Sequence, residues 1–327
     1  PTPIRWVENE VDGGERGVGI KVTSKTTNNF VFECTPGDKV QSYRLDVYPL
    51  CRMYNYLFES GGSGASEEEI EDLILKALYN SEGAGAYTFN RKTLGDSYPN
   101  TEFDWTNSKY AQSEIVPGAE YLIITVGCND EGGQNPADMK ICYLKTPSGD
   151  VAGHPRVEID VKASYQAAAI QYVPNEDCKY FYQFCADSEP IDAFIEAYGQ
   201  NMYIDFMRHW TQTSEDAQVP EEELLYIVDF GYNADSKRKF TATTIGLDEN
   251  KNKGDYVRQD FQLKEIPDNP DEAECDLKIA KTGASIVNMD VKMEKTCYAM
   301  FYRIFSAADW APYENADEAT MTALAQA

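Results

Sequence analysis

Residues 113–133 read Ser-Glu-Ile-Val-Pro-Gly-Ala-Glu-Tyr-Leu-Ile-Ile-Thr-Val-Gly-Cys-Asn-Asp-Glu-Gly-Gly, and a second apolar run, Met139 to Leu144, follows and closes on Lys145-Thr146-Pro147. Two runs rich in β-branched and aromatic residues around a Gly/Asn/Asp/Pro loop predict a β-hairpin, entered through a turn at Pro117-Gly118. The same grammar returns 119 positions later: Val126-Gly127 matches Ile245-Gly246, Asn129-Asp130 matches Asp248-Glu249, and Leu144-Lys145 matches Leu263-Lys264. The chain therefore repeats itself.

Outward from that hairpin, the preceding segments alternate with period two. Ile20 and Val22, then Phe30, Phe32 and Cys34, then Tyr43, Leu45 and Val47 are apolar positions of three half-buried strands. Residues 1–17, polar and glycine-rich around Trp6, read as a leader or tether. After Gly61–Gly64, Ser66-x-x-Glu69 is a capping box, and Ile70, Leu73, Ile74, Ala77 and Leu78 form one apolar stripe, so a helix is expected over 66–80. Repeat 1 thus spans 18–147. A linker, Thr146 to Pro155, leads to repeat 2 at 155–266. There Val157, Ile159 and Val161 open the strands, and Ile191, Phe194, Ile195 and Tyr198 predict helices within 190–210. A third copy starts near Cys275, in a region 273–327 that holds the first half of a repeat, with a helix start at Asn315-x-x-Glu318.

The Val-Pro-Gly-Ala-Glu-Tyr run at 116–121, with the alternating strand, the Asp/Gly loop and the closing Lys-Thr-Pro, resembles the last two strands of a fibronectin type III domain. The resemblance implies an all-β fold of tandem fibronectin type III or Ig-like β-sandwiches, here with short helical insertions. It also implies that Tyr121 forms a tyrosine corner, its hydroxyl tied to nearby backbone. Phe240 stands in the corresponding place of the second copy, so that bond is expected to be missing there. Tandem acidic modules with Pro/Asp/Asn linkers are similar in style to surface lipoproteins of Bacteroides-type bacteria, which implies an exported protein with a lipid anchor outside this stretch.

Composition narrows the partners. With 29 Lys+Arg against 55 Asp+Glu, the formal charge of −26 repels nucleic-acid phosphates and anionic head groups. No apolar run approaches the roughly 18 residues of a membrane span. Eight cysteines lack a close-spaced metal pattern, and they read as mostly buried thiols. His154 lies in a linker and His209 ends a helix beside Trp210, where a helix-terminal imidazole meets a favourable dipole end, so neither supports a triad. Gly61–Gly64 lacks the Lys-Ser/Thr of a phosphate loop. Asp248-x-Asn250-x-Asn252-x-Gly254 only superficially resembles a calcium loop, because Lys251 and Lys253 interrupt it.

No catalytic residue, cofactor or metal is expected. The candidate contact surface is the loop around Trp105, with Phe103 and Tyr110, where rings among Asn and Asp offer the stacking and hydrogen bonds a neutral sugar needs. The alternative is that the indole is buried and anchors the loop; Trp310, next to Pro312 and Tyr313, carries the same pair of readings. As a whole the chain reads as a non-catalytic surface module for adhesion, glycan or protein binding, or spacing. The rival class is a secreted carbohydrate-active hydrolase whose carboxylates cannot be singled out among the acids.

Overall fold

The structure, a computed structural model, describes residues 6–59, 71, 72, 74, 75, 87–98, 100–109, 111, 114–210, 219, 224–230, 236–265, 275–282, 287–293, 304–313, 315–317 and 319–321. In chain order come β1 (Val7–Glu8), β2 (Glu10–Val11), β3 (Val18–Lys25), β4 (Phe30–Pro36), β5 (Ser42–Pro49), helix α1 (Leu50–Glu59), β6 (Tyr87–Asn90), the single turn α2 (Arg91–Leu94), β7 (Thr101–Asp104), β8 (Glu120–Cys128) and β9 (Pro136–Lys145). The second copy supplies β10 (Val157–Ala163), β11 (Ala167–Pro174), β12 (Tyr180–Asp187), α3 (Ser188–Tyr198), α4 (Gln200–Trp210), β13 (Leu224–Asp229), β14 (Lys239–Leu247) and β15 (Lys253–Gln262). Then come β16 (Cys275–Thr282), β17 (Val287–Met293) and the short α5 (Ala307–Trp310). The fold is all-β, built mainly of antiparallel sheets with few short helices; β3–β4 and β16–β17 are antiparallel pairs, and β10 lies beside β11 in another sheet.

The chain divides into two compact units. The first holds Pro1–Asp160, Gln171–Leu224 and Phe240–Asp260; the second holds Val161–Ile170, Leu225–Lys239 and Phe261–Ala327. Within the first unit, the sheets β2-β3-β4-β7 and β1-β9-β8-β5-β6 close a sandwich. Its core takes Phe30, Phe32, Tyr43, Leu45, Tyr121 and Ile123. The period of two puts Leu122, Ile124 and Val126 of β8 on the opposite face, where they belong to a separate apolar cluster. The segment read as a leader joins both sheets: Val7 and Glu8 run parallel to Cys142 and Tyr143, while Glu10 and Val11 pair with Lys21 and Ile20.

Pairing registers of the two copies coincide. Ser42 faces Cys128 and Pro49 faces Tyr121 in the first; Tyr180 faces Leu247 and Asp187 faces Phe240 in the second. The Val126-Gly127 and Ile245-Gly246 signature has a steric cause. A Cβ on Gly127 would meet the Arg16 carbonyl oxygen at 2.2 Å, and one on Gly246 would meet the Pro155 carbonyl carbon at 2.9 Å. In each copy the chain enters the sandwich directly across this strand, and a preceding threonine ties it down. Thr125 Oγ1 donates to the Val18 carbonyl at 3.0 Å, and Thr244 Oγ1 to the Val157 carbonyl at 3.1 Å.

In both copies the third strand runs straight into helix, β5 into α1 and β12 into α3. The sequence reading passed over α1. Of the helix expected over 66–80, residues 71, 72, 74 and 75 are helical, and the remainder lies outside the described residues. Ile74 joins Leu50, Met53 and Leu57 of α1, Ile191 and Phe194 of α3, and Tyr203, Phe206 and Met207 of α4 in the cluster that covers Leu122, Ile124 and Val126. Ile245 and Leu247 of β14 complete it, so the helices shield apolar sheet faces of both copies at once.

In the second unit, Phe230 meets Phe261 edge to face at 6.0 Å, and Trp310, partly buried, packs on Phe305 at 5.8 Å. The helix start expected at Asn315 is capped instead by Asp317, whose carboxylate accepts the Thr320 N–H at 2.8 Å, while Glu318 lies outside the described residues.

Candidate functional site

Three sequence elements converge where the helices of the second copy meet the turn before β8. Pro117-Gly118 reverses the chain, and its product is the tyrosine corner: the Val116 N–H donates to the Tyr121 hydroxyl at 2.9 Å. Helix α4 brings Asp205, Arg208 and His209 to the same place, one turn apart on one face. The His209 Nδ1 lies 2.7 Å from the Asp205 carbonyl, its own helix's i−4 acceptor, so Nδ1 carries the proton. Nε2 is then an acceptor, and the Tyr121 hydroxyl, 3.3 Å away, donates to it. One phenol thus accepts from its own turn and donates to the neighbouring copy.

The Cys51 sulfur lies 3.6 Å from His209 Nδ1. A cysteine beside a histidine is the composition of a nucleophilic dyad, yet the electrostatics here run the other way. Burial pushes the His209 pKa down to about 4, and burial, followed by the nearby Asp205, pushes the Cys51 thiol well above its ordinary value. Neutral thiol and neutral imidazole in a dry core are packing groups with satisfied hydrogen bonds. His209 lies in the last turn of its helix, as expected, but there desolvation outweighs the favourable dipole end.

Arg208 is 2% exposed and spans the same junction. Its Nη1 donates to the Pro117 carbonyl at 3.0 Å and to Asp205 Oδ1 at 3.1 Å, and its Nη2 reaches the Lys251 carbonyl at 3.3 Å. Lys253 Nζ shares the Asp205 carboxylate at 3.1 Å. A buried pair of this kind contributes little net stability, but it fixes geometry, because removing one partner strands the other's charge.

The loop that resembled a calcium site clamps the linker. Asp248 accepts the N–H groups of Asn250, Asn252 and Ala152 at 2.8 to 2.9 Å, together with the Asn252 side-chain amide at 3.0 Å. Burial works against its charge, but these donors hold its pKa below the usual carboxylate range. Asn252 Oδ1 in turn accepts the Gly149 N–H at 2.9 Å. The carboxylate lone pairs face N–H donors from two segments, and among the described residues no group of three or more His, Cys, Asp or Glu side chains is arranged to hold a metal.

The expected sugar-stacking rings lie elsewhere. Trp105 is 2% exposed and Phe103 5% exposed; both pack on Phe32, at 5.9 and 5.4 Å, inside the first sandwich. Neither offers a ring face to a ligand, and Tyr110 lies outside the described residues. His154 is exposed in the linker, its N–H donated to Asp177. Cys34, Cys51, Cys128, Cys142, Cys178 and Cys185 are free thiols, all but Cys185 buried.

A second feature was not read from the sequence. At one end of the first sandwich a depression of about 400 Å³ opens between the β4–β5 turn, α2 and the β8–β9 loop, with Tyr98 in its wall and Arg91, Lys92, Asp38, Gln41 and Glu131 around it. These segments are more than 30 residues apart in sequence, and no local pattern announces that they meet.

No protein-family model matches the chain, and no curated protein matches it. Among solved structures, the chicken CNTN1 FN1-FN3 domains are similar at 9% identity over 80% of this chain and 69% of that one, with a TM-score of 0.24. The central fibronectin-III array of RIM-binding protein is similar at 10% identity over 88% of this chain and 79% of that one, with a TM-score of 0.20. Among the described residues no helix is long and apolar enough to cross a membrane.

Proposed function

We propose that this chain is a non-catalytic, exported, surface-anchored modular protein in which the first sandwich and the part of the second copy within the same compact unit act as one stiff element, presenting a binding surface for a glycan or protein, or spacing such a surface from the cell. The observation that carries the reading is the joint. Tandem sandwiches on a free linker reorient by default. Here the linker is clamped by Asp248 and Asn252, Arg208 and the Tyr121–His209 bond bridge the copies, and a separate apolar cluster draws on both. The Cys51–His209 contact is buried and neutral, which favours a structural role over chemistry.

Force spectroscopy on the full chain tests the stiff element: residues of both copies in the first unit should unfold in a single event, and two separate events of one sandwich each would overturn it. Protease treatment of intact cells expressing the full-length protein tests the location. Release of the chain is expected; full protection would remove the surface reading.

A further inference from the structure

The depression at the end of the first sandwich has the make-up of a binding site. Its walls are set before any ligand arrives. Asn90 caps α2 reciprocally with Thr93, and its Nδ2 donates to the Glu131 carbonyl at 2.9 Å, joining α2 to the β8–β9 loop. That loop is held by Asp130, which accepts the N–H groups of Gly132, Gln134 and Asn135 at 2.7 to 3.2 Å. On the far side, Tyr98 donates its hydroxyl to the Val40 carbonyl at 2.9 Å, fixing the β4–β5 turn. Rigid walls lower the entropic cost of binding.

Charge names the ligand. In a chain with 26 excess negative charges, several cations of the first unit are ion-paired: Arg16 with Asp138, Lys145 with Glu120, Arg156 with Glu158, Arg208 with Asp205, Arg258 with Asp192. Arg91 and Lys92 are adjacent, exposed and, among the described residues, in no ion pair, although Asp38 and Glu131 line the same depression. The Arg91 guanidinium lies over the Tyr98 ring, 5.6 Å from its centroid, which orients the fork while leaving its N–H edge free. A guanidinium fork beside an ammonium matches a carboxylate. Asp38, Glu131 and the Gln41 amide supply acceptors for hydroxyl groups, and the volume admits one or two sugar rings.

We propose that this depression binds a carboxylate-bearing sugar, with Arg91 and Lys92 on the carboxylate and Asp38, Gln41 and Glu131 on the hydroxyls. The inference deepens the binding half of the function proposed above and is independent of the stiff joint.

Isothermal titration of the full chain with glucuronate, galacturonate and N-acetylneuraminate, set against glucose and N-acetylglucosamine, tests it. At least one acidic sugar should bind ten-fold or more tightly than both neutral ones. Lys92→Gln and Arg91→Gln with Lys92→Gln together should weaken it progressively, at least ten-fold for the pair, with unchanged thermal melting. Absence of binding by all three acids, or binding that the double variant leaves intact, overturns the proposal. Binding of the neutral sugars alone overturns it too while leaving the broader glycan reading in place; a neutral glycan panel therefore separates the two failures.

Discussion

Tyr121 and His209, 88 residues apart in sequence, lie 3.3 Å apart between the phenol oxygen and Nε2, and their rings meet edge to face at 5.8 Å. Tyr121→Phe removes the acceptor of the Val116 N–H and the donor to His209 together. Leaving two buried polar groups unpaired should cost about 2–4 kcal/mol, more than a single lost bond. A double-mutant cycle with His209→Phe measures the shared part by chemical denaturation; a coupling energy near zero would deny that the bond joins the copies.

The same histidine makes stability depend on pH. Folded, its pKa is about 4, against 6.5 when free. Between those values the unfolded chain binds a proton that the folded chain refuses, so this contribution is fully present above pH 6.5 and declines as pH falls towards 4, by up to about 3 kcal/mol. The chain has only two histidines, so the two imidazole signals separate readily by proton NMR. One should titrate near 4 in the folded protein, and two midpoints above 6 would contradict the burial argument.

Asp46 runs with the opposite sign. It pairs across the sheet with Ile124, is buried, and accepts the Val47 N–H at 2.7 Å. Burial raises its pKa from 3.8 to about 6, with the Val47 bond opposing. Folding favours the protonated acid, a contribution fully present below pH 3.8 and lost as pH rises through 6. Asp46→Asn keeps the acceptor without the charge, so it should raise the melting temperature at pH 7, by up to about 3 kcal/mol in stability, and do nothing at pH 3.5. An equal effect at both pH values would rule out the charge as the cause.

Gly127→Ala places a methyl 2.2 Å from the Arg16 carbonyl oxygen, whereas Gly246→Ala meets Pro155 and Arg156 backbone at 2.9 to 3.0 Å. Overpacking of this kind costs about 1–3 kcal/mol, and the first substitution should be the more damaging. Thermal melts that rank them the other way would show that the entering chain shifts freely.

Trp105→Ala should behave as the loss of an anchor. The indole fills space beside Phe32, and its removal should cost about 3–5 kcal/mol of stability. A variant that melts like wild type would return the ring to the surface.

Much of this architecture was legible locally. The alternation of Leu122, Ile124 and Val126 against Tyr121 and Ile123 reports strand faces, because side chains of a strand alternate regardless of what they meet. Pro117-Gly118 before Tyr121 named the corner, and the Ile191, Phe194, Ile195 and Tyr198 stripe named α3. Helix α1 escaped because β5 runs into it through Pro49 with no capping residue; Leu50, Met53 and Leu57, at i, i+3 and i+7, were the signal present. Trp105 looked like a loop ring because its neighbours in sequence are polar, yet its partner is Phe32, on another strand.

Local sequence specifies hydrogen-bond periodicity and the face each residue takes, but not which faces come together. That the helix-terminal His209 is a neutral core residue follows from burial against Tyr121 and Cys51, residues of another repeat. That Arg91 and Lys92 border a depression depends on three loops closing around Tyr98. Burial and charge pairing act through space at a few ångströms, and only the folded chain sets those distances.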